Sequence, residues 1–381
     1  MKKRILRTRL CDMLGIEFPI VLAGMGSRGK ATPPALVAAV SEAGGLGVLG
    51  GAGMPAEDLR AAIRQARALT NKPIGVDLLL PATLAEAPPS RAAVRAELRK
   101  KFPEHVAFVR ALMAQHHLPD AEVAHDFVLS RSVGEGHQKT PQEEQVQVVM
   151  EEDVQVFASG LGDPSWVVPM ARKKGMKVMG LVGTVGNARR QIKAGVDIVI
   201  ATGYESGGHT GKIATFPLIP QVVDAVAPVP VLAGGGIGDG RGVAAALSLG
   251  AVGVWVGTAF LVSDECAIPD EHKGQLVNGG SADFEIGRIF SGKTMRGYRN
   301  EIIRAWEKSG LDPLPMPYQK ILMDDFNEAA ATAGRWDLHS NPAGQVAGLL
   351  KQRRPARVIF DELVDGAIAS IEELKRGITA V

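Results

Sequence analysis

One short glycine-rich segment combines residue types that bind anions with a residue type that moves protons. Residues 203–211 read GYESGGHTG and follow an apolar run at 197–201. Glycines such as Gly207 and Gly208 let a backbone approach a ligand closely, and successive free N–H groups there suit a phosphate. A histidine such as His209 titrates near neutral pH and can carry a proton. A phosphate cradle and a proton carrier after a strand together indicate a cofactor-dependent enzyme.

Two later apolar runs end in glycines that could hold the same phosphate. Gly234, Gly235 and Gly236 follow one run, and Gly257 and Thr258 follow the next. Tight packing explains a single glycine triplet equally well. Two neighbouring runs that end in this way favour a shared phosphate site, because both would supply backbone N–H groups to it.

Other residues at the ends of apolar runs could contact the remainder of a large, flat ligand. Ala23, Gly24 and Met25 end the first run, where the glycine allows close approach of the backbone. Asp77 interrupts an apolar run, and a buried acid is costly unless it is hydrogen-bonded. It is therefore predicted either to contact a cofactor or to accept a hydrogen bond from a backbone turn. Thr202, at the end of the run before the glycine-rich segment, could hydrogen-bond the same ligand.

Eight short apolar runs must position these residues. Each is almost continuously apolar and rich in β-branched residues, as buried parallel strands are. The runs are residues 19–23, 45–49, 73–79, 154–158, 177–182, 197–201, 229–233 and 252–256.

Helical patterns separate most of the runs. They span residues 34–43, 57–69, 166–174, 187–194, 219–226 and 241–249, and Gly44, Gly175, Gly195 and Gly250 follow four of them as C-terminal signals. Thr32 is predicted to cap the first of these helices. Repeated βα units predict an α/β fold, a closed (β/α)₈ TIM barrel. An open doubly wound sheet is the alternative, disfavoured because no early GxGxxG motif opens a helix.

Two regions depart from the repeat. The barrel is predicted over residues 1–263, with an insert at 82–153 after the third strand and a helical extension at 264–381. Within the insert, helices are predicted at 91–101 and 105–116, lying over the mouth of the barrel. The extension is expected to add helices packed on the barrel. Active sites of such barrels lie at the C-terminal ends of the strands, where the glycine-rich segments fall.

Composition excludes several classes of protein. With 46% hydrophobic residues and a net charge of +2, the chain is predicted to be globular and does not indicate a nucleic-acid partner. The basic start at residues 2–9 lacks a following apolar segment, so we expect a solvated first helix and no signal peptide. No run approaches the roughly 18 apolar residues of a membrane helix. Cys11 and Cys266 form no disulfide pattern, and the histidine spacings predict no metal site. A cytoplasmic protein is predicted, and its oligomeric state, including a homodimer, is left open.

The motifs at the ends of these runs resemble those of the nitronate monooxygenase family, formerly called 2-nitropropane dioxygenases. This family shares an FMN-binding barrel with a class of bacterial enoyl-acyl-carrier-protein reductases. The resemblance extends over the chain except for the insert. It is carried by FPIVLAGM at 18–25, AGGLG at 43–47, GYESGGHTG at 203–211, VLAGGGI at 231–237, GVWVGT at 253–258, RAW at 304–306, PMP at 315–317 and NPAGQ at 341–345.

The resemblance implies that FMN binds over the barrel mouth and that His209 is the catalytic base. The implied reaction oxidises alkyl nitronates with O2 to a carbonyl product and nitrite. The alternative is an NAD(P)H-dependent FMN reductase of enoyl thioesters or quinones. Two further hypotheses are a cofactor-binding scaffold without catalysis and a phosphosugar isomerase. The implied FMN contacts are Ala23, Gly24, Met25, Asp77, Thr202, Ser206, Gly207, Gly208, Gly234, Gly235, Gly236, Gly257 and Thr258.

Four of these positions depart from the family pattern. Asp77 stands where the family usually has Asn, and Thr202 stands where Gln or Glu is common. Gly24 replaces a common Pro, and Ser206 replaces a frequent Ala. All four lie at the implied flavin face, so they bear on the reaction more than on the choice of cofactor.

Overall fold

The apolar runs form a closed parallel barrel in the computed structural model, which describes residues 5–26, 29–80, 90–123 and 140–377. The strands are β1 Ile20–Leu22, β2 Gly47–Gly50, β3 Ile74–Leu79, β4 Val156–Leu161, β5 Lys177–Val182, β6 Ile198–Thr202, β7 Gly208–His209, β8 Val231–Gly234, β9 Gly253–Val256, β10 Phe284–Gly287 and β11 Met295–Tyr298. Eight of them pair in the order β1-β9-β8-β6-β5-β4-β3-β2. A parallel bridge between Val21 and Leu46 joins the two ends of this sheet. The predicted TIM barrel is therefore confirmed.

Side chains alternate between the inside of the barrel and the helices around it. The interior is filled by buried residues that include Val48, Ala158, Ile200, Leu232 and Trp255. The intervening residues of the same strands belong to a second apolar cluster shared with the surrounding helices. Because both faces are buried, the strands read as continuous apolar runs, which made them recognisable in the sequence.

The helices surround the barrel and form the added regions. They are α1 Arg9–Leu14, α2 Pro34–Glu42, α3 Ala56–Leu69, α4 Arg91–Lys101, α5 Pro103–Gln115, α6 Pro141–Glu151, α7 Val168–Lys173, α8 Val185–Ala194, α9 Thr215–Val226, α10 Gly240–Ser248, α11 Thr258–Leu261, α12 Asp270–Asn278, α13 Glu301–Ser309, α14 Tyr318–Thr332 and α15 Ala356–Gly377. Each predicted helix is confirmed within a few residues. Within the described ranges, no helix is both long enough and apolar enough to cross a membrane.

Two local predictions near the chain start are wrong. The first helix, α1, is not simply solvated, because Leu10, Cys11 and Leu14 are buried in the cluster that fills the barrel. Thr32 does not cap α2, whose N-cap residue is Pro33 and has no side-chain capping bond. The fully buried Thr32 hydroxyl instead bonds backbone groups at two strand ends, as described below.

The predicted insert contains one helix that belongs to the barrel. The helix α6 packs against α3 and β3, and so occupies the place of the barrel helix that follows β3. It begins with a capping box in which Thr140 and Glu143 each accept the other's backbone N–H. The helices predicted at 91–101 and 105–116 are confirmed as α4 and α5, the second within two residues; their position over the barrel mouth stays a prediction. Residues 82–89 and 124–139, including His125 and His137, lie outside the described residues.

The C-terminal extension contains strands as well as helices. The hairpin β10–β11 pairs through β11 with the two-residue strand β7, which lies in the glycine-rich segment. The prediction of helices alone was therefore incomplete. At the chain end, α15 packs on α10 so closely that a Cβ on Gly240 would lie 2.2 Å from the carbonyl carbon of Gly366.

The insert and the extension share an apolar cluster beside the barrel. Val94 and Leu98 from α4 pack with Trp306 from α13 and Phe326 from α14. Ion pairs reinforce this contact: Arg91 Nη2 lies 2.8 Å from Asp324 Oδ2. Arg95 forms a two-bond pair with Asp325, at 2.8 and 2.7 Å. The insert is thus anchored on the extension.

The Arg95–Asp325 pair gives the first testable prediction. Arg95→Ala leaves a partly buried carboxylate without its two-bond partner, since the two side chains are only 11% and 18% exposed. We expect it to lower the free energy of unfolding by about 2–3 kcal/mol, measured by urea denaturation. Lys101→Ala, which removes the exposed pair with Glu97 on the same helix, is the control and should leave stability unchanged. Equal unfolding midpoints in the two variants would contradict this anchoring.

Candidate active site

Three buried polar oxygens at the C-terminal end of the barrel have no hydrogen-bond partner among the described residues. They are Asp77 Oδ1 on β3, Thr202 Oγ1 at the end of β6, and Ser206 Oγ in the following loop. Because parallel strands all end at the same rim of a barrel, these atoms lie on one side of the molecule. Buried polar atoms without partners are costly. Three of them at one rim indicate a ligand that supplies the missing hydrogen bonds.

Asp77 lies between two glycines that leave room for its carboxyl group. A Cβ on Gly24 would lie 2.3 Å from Asp77 Cβ, and one on Gly160 would lie 3.1 Å from Oδ1. The side chain is 7% exposed. This burial raises the pKa of Asp77 well above its usual value, and a hydrogen bond from the Gly160 backbone opposes the shift. Any side chain at either glycine would displace the carboxyl group.

Thr202 faces the barrel interior beside another glycine. It pairs with Gly234 across the β6–β8 ladder. A Cβ on Gly234 would lie 3.2 Å from Thr202 Oγ1 and 3.4 Å from Trp255 Cδ1. Gly234 is therefore a buried strand residue that makes room for the threonine hydroxyl, and the turn after β8 begins at the next residue.

The turn after β8 presents backbone N–H groups. Gly235 and Gly236 both have positive φ, +85° and +72°, a conformation that side chains disfavour. No hydrogen bond takes up the N–H of either residue within the described part of the chain. Thr215 lies beneath this turn, and its hydroxyl is 3.1 Å from the Gly235 carbonyl oxygen. Glu205 in turn accepts the Thr215 N–H at 2.9 Å. Thr215 and Glu205 therefore support the turn, a role that was not predicted from the sequence.

The C-terminal extension also contributes to this rim. A Cβ on Gly207 would lie 2.5 Å from the carbonyl carbon of Ala343, so the two segments are in close contact. The Gly344 N–H donates to Thr258 Oγ1 at 2.9 Å. Gly208, by contrast, has φ +69° and open space around its Cβ position. The NPAGQ motif at 341–345 thus contacts the predicted phosphate loops at Gly207 and Thr258. Its position in the fold was not predicted from the sequence.

The end of β1 is held against its two neighbouring strands. Thr32 Oγ1 donates to the Met25 carbonyl at 3.2 Å and accepts the Gly50 N–H at 2.8 Å. A Cβ on Gly257 would lie 3.2 Å from Met25 Sδ and 3.4 Å from Ala23 Cβ. The predicted residues Ala23, Met25 and Gly257 are therefore brought together at the rim.

His209 lies on the small sheet beside the barrel rim. Its Nδ1 is 3.2 Å from the carbonyl oxygen of Thr294. Because a carbonyl only accepts, Nδ1 carries the hydrogen and Nε2 keeps its lone pair. The side chain retains an exposed face, but crowding by protein lowers its pKa, with smaller contributions from Lys293 and Lys320, and the Thr294 bond opposes this shift. The imidazole is accordingly neutral near pH 7 and able to accept a proton.

Arg296 fixes the segment that carries His209. It is 2% exposed, and it pairs with Gly208 across the β11–β7 ladder. Its Nη1 donates to the Phe284 carbonyl at 2.6 Å, and its Nη2 donates to the Tyr204 carbonyl at 3.1 Å. The guanidinium also lies 4.7 Å from the centre of the Tyr204 ring. Sequence reasoning missed this residue because the contact depends on a hairpin that was predicted as helix.

Three other described histidines have partners of their own outside the glycine-rich segment. His105 Nε2 bonds the Asp312 carbonyl at 2.9 Å, within the cluster shared by the insert and the extension. His272 and His339 pack with Trp336, and burial lowers the pKa of His272 to about 4. Among the described histidines, His209 is the one placed on the glycine-rich segment.

Comparison with known proteins agrees with this geometry. A sequence profile of the nitronate monooxygenase family matches residues 7–366. A Mycobacterium tuberculosis protein named as a monooxygenase is 37% identical over 97% of this chain and 99% of its own length.

Two solved structures also match almost the whole chain. The nitroalkane oxidase from Streptomyces ansochromogenes is 28% identical, with a TM-score of 0.78, over 96% of this chain and 99% of its own. FabK from Thermotoga maritima is 31% identical, with a TM-score of 0.75, over 98% of this chain and 100% of its own. The family profile, the 37% identical relative and the shared barrel agree: this chain belongs to the nitronate monooxygenase family of FMN-dependent oxidoreductases.

Proposed function

We propose that this protein is a nitronate monooxygenase that oxidises alkyl nitronates with O2 to carbonyl products and nitrite, with His209 as its catalytic base. The observation that carries the proposal is the neutral imidazole, whose Nε2 has no hydrogen-bond partner among the described residues while Thr294 holds Nδ1–H. It stands next to a barrel rim with three unpaired buried oxygens, in a chain of the nitronate monooxygenase family.

The residues at the rim fit FMN. The unpaired oxygens of Asp77, Thr202 and Ser206 could bond the polar edge of the ring and the ribityl chain. The free N–H groups of Gly235 and Gly236 suit its phosphate. We propose as FMN contacts Ala23, Gly24, Met25, Asp77, Thr202, Ser206, Gly207, Gly208, Gly234, Gly235, Gly236, Gly257 and Thr258.

The side chains of this protein would position and deprotonate the substrate, whereas bound FMN supplies the electron transfer between substrate and O2. In the proposed step, His209 Nε2 removes the α-proton of a neutral nitroalkane and forms the nitronate. The Thr294 carbonyl accepts from Nδ1–H before and after that transfer, so it stabilises the resulting imidazolium. Arg296 is a positioning residue, because it ties the Tyr204 carbonyl to the hairpin that carries Thr294.

The cofactor assignment predicts a yellow protein. The purified protein should show the absorption of oxidised flavin, and an alkyl nitronate should bleach it rapidly under anaerobic conditions. Re-admission of O2 should restore the absorption with release of nitrite. A colourless preparation that binds no added FMN would contradict the cofactor proposal.

The same experiment tests the main alternative. The structural similarity to FabK supports an NAD(P)H-dependent reductase of enoyl thioesters or quinones as a second candidate. Rapid anaerobic bleaching by NADH or NADPH, together with no response to nitronate, would favour that reductase over the monooxygenase.

The role of His209 predicts a difference between two substrate forms. His209→Asn should lower kcat/KM for a neutral nitroalkane by about 10²-fold or more, because proton abstraction requires the base. The preformed nitronate has already lost that proton, so kcat/KM for the nitronate should fall by less than about tenfold. Equal losses for both substrates would contradict the role.

The pH dependence provides a second test of His209. Abstraction requires the neutral imidazole, and crowding by protein lowers the pKa of His209. In the wild type, kcat/KM for the nitroalkane should therefore rise with pH, with the midpoint of the rise below the usual imidazole pKa. A rise that is centred above the usual pKa would contradict the assignment.

A further inference from the structure

Asp77 is a buried acid that has no cationic partner among the described residues. In the β3 ladders it lies opposite Gly50 on β2 and Ala158 on β4. Gly24 and Gly160 also lie against its side chain, and none of these four residues carries a charge. Within the described ranges, Oδ1 also lacks any hydrogen-bond partner.

The other face of β3 does not supply a cation either. The helix α6 packs on that face, where Val76 and Leu78 join Val146 in the outer apolar cluster. The acids Glu143 and Glu144 at the start of α6 are exposed to solvent. Among the described residues, neither face of the strand therefore brings a charged side chain to the Asp77 carboxyl group.

Among the described residues, an ionised carboxylate in this position would be compensated only by a hydrogen bond from the Gly160 backbone, which is outweighed by its burial. Such groups usually take up a proton instead of remaining charged. The raised pKa of Asp77, caused by its burial, has the direction expected from this argument. A protonated carboxyl group also has an O–H donor, so its shape and hydrogen-bonding capacity approach those of an asparagine amide.

We propose that Asp77 is a neutral carboxylic acid in the folded protein and that its O–H donates a hydrogen bond to an acceptor atom on the ring of bound FMN. This inference rests on the proposed function, because FMN supplies the acceptor. It accounts for the presence of an acid at a position where the family usually has asparagine. It also makes cofactor binding sensitive to pH, because the donor is lost when Asp77 ionises.

Asp77→Asn is the matched variant, since it keeps the shape and a donor but cannot titrate. At pH 6, the dissociation constant of FMN in Asp77→Asn should be within about threefold of the wild-type value. In Asp77→Leu, which has no donor, it should be about tenfold larger than in the wild type. As pH rises, the wild type should lose about tenfold in affinity, whereas Asp77→Asn should not change. Tighter FMN binding by Asp77→Asn at pH 6, or identical pH profiles for wild type and Asp77→Asn, would overturn the inference.

Infrared spectroscopy detects the protonation state of the Asp77 carboxyl group directly. The reduced-minus-oxidised difference spectrum of the FMN-loaded wild type should contain the C=O stretch of a protonated carboxyl group, shifted in D2O and missing from Asp77→Asn. A carboxylate band in its place would refute the neutral acid. Failure of the wild type to bind FMN at any pH would refute the proposed function itself, so the two failures are distinguishable.

The apoprotein tests the protonation state without FMN. In the unfolded chain Asp77 releases its proton at its usual pKa, whereas the folded protein retains the proton to higher pH. Folding stability should therefore decline as pH rises between these two values in the wild type. It should decline less in Asp77→Asn, so the difference in Tm between the two proteins should grow with pH. A constant difference would contradict a neutral Asp77.

Discussion

Buried polar oxygens that find no partner among the described residues are the constraint on which the rim of this barrel depends. Asp77, Thr202 and Ser206 each place such an atom at the C-terminal ends of the strands. Their desolvation disfavours folding unless another molecule provides hydrogen bonds. These unpaired groups therefore lower the stability of the ligand-free protein, and they leave the rim ready to bind a polar ligand. We propose that FMN, the cofactor of the family to which this chain belongs, is that ligand.

The surrounding structure keeps these oxygens in place through close backbone contacts. Gly24 and Gly160 leave room for the Asp77 carboxyl, and Gly234 leaves room for the Thr202 hydroxyl. On the opposite side of the glycine-rich segment, the C-terminal extension adds the hairpin with Arg296. The same hairpin provides the carbonyl that orients His209. Barrel and extension thus each supply one half of the proposed site: the barrel holds the proposed ligand contacts, and the extension positions His209, the proposed base.

Much of the barrel was predictable because its strands are buried on both faces and therefore read as short, continuous apolar runs. The same logic singled out Asp77 and Thr202, since a polar side chain within or directly after such a run requires a partner. The hairpin β10–β11 was not predictable from local pattern, because its short strands are stabilised by pairing with β7, far away in sequence. For the same reason Arg296 could not be connected with the site. The helix α6 had a local signal, the capping box at Thr140, which the long insert prediction obscured.

The most direct test of this account is a crystal structure of the protein with FMN bound. We expect the three oxygens of Asp77, Thr202 and Ser206 to gain hydrogen bonds to the cofactor. The phosphate should lie on the N–H groups of Gly235 and Gly236, and His209 Nε2 should face the substrate side of the ring. FMN bound at another surface, or at this rim with the three oxygens still unpaired, would contradict the central claim.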